Sequence, residues 1–169
     1  MGSIFKAYDI RGIYGKDLTE DLAGKIGRAF ATFLNCKKVV IGHDMRPHSV
    51  PLFKALADGL MKQGAEVINL GLCSTPMSYY ANGKLGADAS IILTASHNPG
   101  EWNGFKLCRE QAIPISGVTG IKDIEKIVLE ESFAPASGGG SITDYDILPE
   151  YIDHIQQFAD LKRPLRVAV

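Results

Sequence analysis

The sequence predicts an α/β fold, a three-layer sandwich in which a mixed, mostly parallel sheet of about four strands is flanked by helices. Short, β-branched apolar runs at 38–42, 65–71 and 89–94 alternate with longer segments of helical period. This alternation is typical of parallel strands joined by crossover helices and buried on both faces. The run 103–108 follows 89–94 too closely for a crossover helix, so we expect that last pair to be antiparallel.

The helices are predicted from apolar spacing and from capping residues. Thr19 is a suitable N-cap for a first helix, and Ser49 for a second. Gly64 lies where a C′ residue would end the second helix. Further helical segments are expected at 75–80, 116–131 and 147–158.

Residues 1–160 are predicted to form one domain, which is an ordinary domain length. The segment 132–141, SFAPASGGGS, is either a flexible linker or a glycine-rich loop inside that domain. After Pro164, the run 165–169 has strand character and stops at the end of the sequence. We therefore expect 161–169 to hold a linker and the truncated first strand of a second domain.

Composition argues against several function classes. The formal net charge of the 169 residues is −1, so no basic surface is indicated for nucleic acid. The apolar runs are strand-sized, so a membrane partner is not expected. The three cysteines are widely spaced and odd in number, which fits neither a disulfide framework nor a metal site. With no signal peptide evident, we expect a cytoplasmic protein.

The loop 94–99 concentrates the reactive side chains. Ser96, His97 and Asn98 place a hydroxyl, an imidazole and an amide beyond the carboxyl end of a predicted strand, where α/β sheets bind ligands. An ordinary polar turn would have the same composition. Arg11, in a glycine-containing loop, and Lys106, on the next strand, would supply the cations that phosphoryl transfer needs. Taken singly, Arg11 fits a surface ion pair and Lys106 an outward-facing strand residue.

Three stretches together resemble the α-D-phosphohexomutases, in the phosphomannomutase/phosphoglucomutase branch. TASHNPGEWNGFKL (94–107) resembles the phosphoserine loop of that family. FKAYDIRGIYG (5–15) and VVIGHDMRPHS (39–49), with LGLCSTPM (70–77) behind, resemble further family stretches and follow in the expected order. The segment 102–106, WNGFK, resembles the mannose/glucose type rather than phosphoglucosamine mutase.

The resemblance implies a role for each site residue. Ser96 would carry the phosphoryl group between the 1- and 6-positions of a hexose, and one oxygen of its phosphate would bind Mg²⁺. Arg11 and Lys106 would flank that group, with Lys106 a candidate for proton transfer. Tyr8 would line the sugar site. His97 would either orient the loop or shuttle a proton.

The resemblance also implies partners. The substrates would be hexose phosphates, with hexose 1,6-bisphosphate as activator. Further Mg²⁺ ligands would come from downstream domains of the same enzyme, so this chain alone is expected to be inactive. The alternatives are a non-catalytic sugar-phosphate binding module and another mutase such as phosphoglucosamine mutase. Against the binding module, the presence of Ser96, Arg11 and Lys106 together favours catalysis, because binding needs no phosphorylatable serine.

Several nearby polar residues are expected to have structural roles. His43, Asp44 and Arg46 are predicted to brace the neighbouring loop. His48 and His154 are predicted to be surface residues, and the pair Tyr79 and Tyr80 to pack in the core.

Overall fold

The computed structural model describes residues 4–160, 162–163 and 165–167. The strands are β1 (Ile10–Ile13), β2 (Lys38–His43), β3 (Glu66–Leu72), β4 (Ala89–Leu93), β5 (Trp102–Arg109) and β6 (Ser141–Asp144). The α-helices are α1 (Glu20–Leu34), α2 (Ser49–Lys62), α3 (Thr75–Lys84), α4 (Lys122–Glu130) and α5 (Leu148–Gln156). A 3₁₀ turn spans Glu110–Ala112 and a π turn spans Gly117–Ile121.

The strands form one sheet in the order β1-β5-β4-β2-β3-β6. Strands β4, β2, β3 and β6 are parallel, whereas β5 is antiparallel to both β4 and β1. The mixed, mostly parallel sheet and its antiparallel last pair are therefore confirmed, with six strands rather than four. The two unpredicted strands are the edges, each only four residues long and without a β-branched apolar run.

Strand β6 also decides between linker and loop for residues 132–141. It pairs with β3, with Val67 opposite Ile142. The Ser137 hydroxyl donates to the Gln63 carbonyl oxygen at 2.8 Å, and the Gly138 amide donates to Lys62. The glycine-rich segment is thus a loop inside the domain.

Apolar side chains fill both faces of the sheet. The larger core cluster joins α1, α2 and α4 to one face and includes the fully buried Phe30, Leu56 and Phe105. A smaller cluster lies with α3 and α5 and includes Val40 and Ile147. Burying each large side chain contributes about 1.5–3 kcal/mol, so this three-layer packing is the main source of stability.

Helices α1 and α2 approach closely because each presents a glycine to the other. A Cβ on Gly27 would lie 2.3 Å from the Leu56 carbonyl oxygen, and one on Gly59 would lie 2.1 Å from the Gly24 oxygen. Substituting either glycine would force the two helices apart.

Two of the three predicted helix boundaries are confirmed. The Thr19 hydroxyl accepts from the Leu22 amide at 3.3 Å and caps α1. Gly64 follows α2 with φ of 83°, as a C′ glycine does. The prediction that Ser49 caps α2 is wrong, because Ser49 is the first helical residue and its hydroxyl donates to Asp44 instead.

The C-terminal part of the chain is mostly exposed. Predicted helix 147–158 is observed as α5, which holds His154 half-buried against the half-buried Tyr80, with ring centroids 4.7 Å apart. His154 is therefore not the surface residue predicted, while Tyr80 packs against the smaller cluster. Residues 165–167 have no regular secondary structure, and Ala168 and Val169 lie outside the described residues. A second domain beginning at 161–169 thus stays a prediction. No helix among the described residues is long and apolar enough to cross a membrane.

Candidate functional site

The loop after β4 presents Ser96 in an unusual backbone conformation. Ser96 is exposed and has φ of 54°, in the left-handed region that few non-glycine residues adopt. Its amide donates to the Thr94 hydroxyl at 2.9 Å. Ala95, directly before it, is fully buried and anchors the loop to the core. A serine held in this way is displayed to solvent on a well-supported turn.

Arg46, in the connection between β2 and α2, clamps this loop. Its Nε donates to Asp44 Oδ2 at 3.1 Å. Its two terminal nitrogens donate to four backbone oxygens, those of Ser96 at 3.0 Å, Asn98 at 2.8 Å, Pro99 at 2.6 Å and Trp102 at 3.0 Å. All three guanidinium nitrogens are therefore engaged in fixing the loop. The prediction that Arg46 braces it is confirmed.

Asp44 is the acidic partner of that clamp. It accepts from the Arg46 amide at 3.1 Å and from the Ser49 hydroxyl at 2.9 Å. Burial raises the pKa of the Asp44 carboxyl, but hydrogen bonds from Arg46, Thr94 and Ser49 outweigh burial and leave the pKa below its usual value. Asp44 is thus stabilised as a carboxylate, which fits its predicted bracing role.

His48 belongs to the support of the loop, so the prediction of a surface residue is wrong. Its Nε2 lies 3.0 Å from the Gly100 oxygen, and its Nδ1 lies 2.9 Å from Asn103 Nδ2. The ring stacks on Tyr14 with centroids 4.7 Å apart. The fully buried Asn103 also donates to the Ser49 hydroxyl at 2.9 Å. His48 therefore links β5 and α2 to the far end of the loop.

Two cations, Arg11 and Lys106, lie together next to the loop. Arg11 is on β1 opposite Gly104 of β5, and its Nη1 donates to Asn98 Oδ1 at 3.2 Å. Its Nη2 forms an ion pair with Asp9 Oδ2. The same Asp9 oxygen lies 4.0 Å from Lys106 Nζ. One carboxylate thus holds the two cations predicted from the sequence, and Arg11 joins them to the loop.

Asp9 was not predicted as a site residue. It is only 9% exposed, although it lies in a short segment before an edge strand. The sequence signal that could have identified Asp9 is its position two residues before Arg11. A single aspartate in a glycine-containing segment is more often a turn residue, so that signal is weak.

The cluster leaves hydrogen-bond donors unused. Arginine has five N–H donors, and among the described residues Arg11 Nε is buried without a partner. The Lys106 side chain is 29% exposed. Tyr8 is 81% exposed and His97 is exposed as well. The structure thus ties Arg11 and Lys106 into the site and leaves Tyr8 and His97 on the open surface next to it.

The site is an open wall in the described part of the chain. A cavity lies away from it, in the α1–α2 groove lined by Gly24 and Gly59. The described residues contain no group of three or more His, Cys, Asp or Glu side chains able to hold a metal ion.

Comparison with known proteins agrees with this architecture. The family model described as phosphoglucomutase/phosphomannomutase, alpha/beta/alpha domain I, matches residues 2–135. The chain belongs to this family. The family prediction is therefore confirmed, and the chain corresponds to the N-terminal domain that carries the serine loop.

Individual relatives show how much of the family protein is present. A phosphomannomutase of Escherichia coli is 46% identical over 170 residues, which cover 98% of this chain and 37% of that relative. A phosphomannomutase of Klebsiella pneumoniae is 48% identical, over 88% of this chain and 96% of its own length. A phosphoglucomutase/phosphomannomutase family protein of Burkholderia thailandensis superimposes with a TM-score of 0.87 at 38% identity, over 96% of this chain and 37% of its own. The chain thus spans little more than a third of two of these proteins.

Proposed function

We propose that this chain supplies the phosphoserine wall of a phosphomannomutase/phosphoglucomutase, which interconverts hexose 1-phosphate and hexose 6-phosphate. The observation that carries the proposal is the exposed, conformationally restrained Ser96, joined through Asn98 to Arg11, and Arg11 through Asp9 to Lys106. A displayed hydroxyl flanked by cations with free donors suits a group that accepts and returns a phosphoryl group.

The chemistry has two balanced halves. A free hydroxyl of the hexose phosphate attacks the phosphorus of phosphorylated Ser96, so a new O–P bond forms as the Oγ–P bond breaks. The hydroxyl proton passes to a base, and Ser96 Oγ receives a proton. After the bisphosphate turns round, the Ser96 hydroxyl gives its proton to a base and its Oγ attacks the phosphorus of the other phosphate. A new Oγ–P bond forms as the sugar O–P bond breaks. The sugar oxygen receives a proton, which releases the isomeric hexose monophosphate and leaves Ser96 phosphorylated again. Arg11 stabilises charge on the transferring group, and Lys106 is our candidate for proton transfer.

Magnesium fits this wall in one respect. A serine phosphate oxygen is a hard ligand of the kind Mg²⁺ prefers, and the ion would neutralise charge on the transferring group. Ser96 is the residue of this chain that would hold it. Tyr8 would line the sugar site from this chain, and we assign the remaining Mg²⁺ ligands, further sugar contacts and a grip on the far phosphate to downstream domains of the complete enzyme. Hexose 1,6-bisphosphate would serve as activator by phosphorylating Ser96.

We also propose a cytoplasmic location. Cys36, Cys73 and Cys108 are all buried and unpaired. Burial raises the pKa of the Cys36 thiol to about 12 and that of Cys73 and of Cys108 to about 11, so all three stay as unreactive thiols. Unpaired thiols suit a reducing compartment.

Intact mass spectrometry tests the serine assignment. Incubation with glucose 1,6-bisphosphate and Mg²⁺ should add about 80 Da, the mass of one phosphoryl group, at Ser96. Ser96→Ala should gain nothing under the same conditions. Sugar-phosphate binding without any adduct on the complete enzyme would instead indicate a non-catalytic binding module.

A coupled assay tests the need for the other domains. The 1–169 chain, given glucose 1-phosphate, bisphosphate and Mg²⁺, should show essentially no turnover, because nothing described here retains the intermediate while it reorients. Turnover of about 1 per second or faster would contradict this expectation. In the complete enzyme, the same assay with mannose and glucosamine phosphates would separate the proposed branch from a phosphoglucosamine mutase.

A further inference from the structure

The carboxylate of Asp9 occupies a demanding position. It is nearly buried, and a single oxygen, Oδ2, faces both Arg11 Nη2 and Lys106 Nζ. Burying a carboxylate is unfavourable unless cations and donors compensate it. Here Arg11 provides most of that compensation by direct contact, while Lys106 lies at 4.0 Å, beyond a hydrogen bond.

The two cations, in turn, need Asp9. Arg11 and Lys106 are on adjacent antiparallel strands, β1 and β5, and would repel each other if they converged alone on one site. The shared carboxylate offsets this repulsion. It also restrains one terminal nitrogen of Arg11 while Asn98 restrains the other, which fixes the plane of the guanidinium group.

We infer that Asp9 is a positioning residue for phosphoryl transfer, which holds Arg11 and Lys106 together in the orientation that meets the phosphoryl group of Ser96. The inference rests on the proposed function. Asp9 does not touch the reacting atoms. It acts through the two cations. Its single negative charge leaves Asp9, Arg11 and Lys106 with one net positive charge, which favours an anionic substrate.

This role predicts that loss of the Asp9 charge lowers turnover without weakening substrate binding. In the complete enzyme, Asp9→Asn should lower kcat about a hundredfold, because small displacements of catalytic groups cost that much in rate. KM for the hexose phosphate should stay equal or fall, since the cluster gains a net positive charge. Asp58→Asn is the matched control: it removes the same charge from an exposed i,i+4 pair with Lys62 on α2 and should change either constant less than twofold.

A readout independent of activity keeps the test separate from the proposed function. In ¹⁵N NMR spectra of the complete protein, the buried Arg11 Nε–H should be protected from exchange in the wild type and should broaden or vanish in Asp9→Asn, but not in Asp58→Asn. If wild-type enzyme takes no phosphoryl group on Ser96, the proposed function fails, whatever this signal shows.

Two results would overturn the inference. They are an unchanged Arg11 signal in Asp9→Asn, and a kcat within threefold of wild type, whether or not KM rises. Should Asp9→Asn not fold, Asp9→Glu keeps the charge and displaces it by one methylene. That variant should lose kcat without raising KM, and a wild-type kcat would equally contradict a positioning role.

Discussion

Two arginines contact the Ser96 loop, and they differ in how their donors are used. Arg46 engages all three guanidinium nitrogens, with Asp44 and with four backbone oxygens of the loop. Arg11 uses two nitrogens, for Asp9 and Asn98, and keeps its buried Nε without a partner among the described residues. Arg46 is saturated by the protein, whereas Arg11 has donors left for a ligand.

The different hydrogen bonding of Arg46 and Arg11 indicates two different roles, which the sequence motifs do not distinguish. Carbonyl oxygens repel an incoming phosphate, and Arg46 turns four of them toward itself. Arg11 instead contacts the loop through the side-chain amide of Asn98 and so restrains that side chain. The saturated arginine builds the loop, and the unsaturated one is available for chemistry.

The largest effect on turnover is expected from removing the Ser96 hydroxyl, which lies on the loop that both arginines contact. Ser96→Ala should abolish mutase turnover in the complete enzyme and leave the fold intact, because Ser96 is exposed, whereas the neighbouring hydroxyl residue, Thr94, is buried. Coupled assays with circular dichroism would check this. A near wild-type rate without added bisphosphate would show that Ser96 is not the carrier.

The second-largest effect on turnover is expected from removing Arg11 or Lys106. Arg11→Ala and Lys106→Ala should each slow turnover by about two to three powers of ten, since each loses a charge that stabilises the transferring group. Their losses in melting temperature should be small by comparison. Lys122→Ala, an exposed lysine of α4, serves as control and should leave the rate unchanged. A large fall in melting temperature with little change in turnover would indicate that both cations have a structural role instead.

Arg46→Ala should reverse that pattern. The substitution removes the guanidinium donors to Asp44 and to four backbone oxygens, and we expect a loss of about 2 kcal/mol in unfolding free energy. For a domain of this size that corresponds to a fall in melting temperature of about 4–8 °C. Turnover should fall as well, because Ser96 loses its support. If Arg11→Ala destabilised the protein more than Arg46→Ala, the contrast between the two arginines would be wrong.

The smallest effect concerns acid stability. The pKa of Asp44 is lowered in the folded state, so its contribution is fully present above the unfolded value of about 3.9 and is lost as pH falls through the folded value. Asp44→Asn should therefore be less stable than wild type at pH 7, and the difference should shrink below about pH 4. Denaturant melts across that range would measure it, with Asp58→Asn as the reference. A difference that stays constant with pH would rule out Asp44 as the titrating group.

Much of the fold was predictable because buried parallel strands carry an unmistakable pattern. The run 89–93 is mostly apolar and buried throughout, since both faces of the sheet are covered. The edge strands β1 and β6 lack that pattern, because an edge strand needs only one partner and less burial. Ser49 was misassigned as a cap because its sequence position suits capping, while Asp44 recruits its hydroxyl in the folded chain.

The sequence by itself determined the fold class and the family, and it predicted Ser96, Arg11 and Lys106 as site residues, since these follow from local pattern and from motif. Tertiary structure alone decided which arginine is saturated, that His48 supports the loop, and that Asp9 is buried between two cations. The physical reason is that donor use and burial depend on residues distant in the chain. Lys106 is 97 positions from Asp9, and only the antiparallel pairing of β1 with β5 brings their charges together.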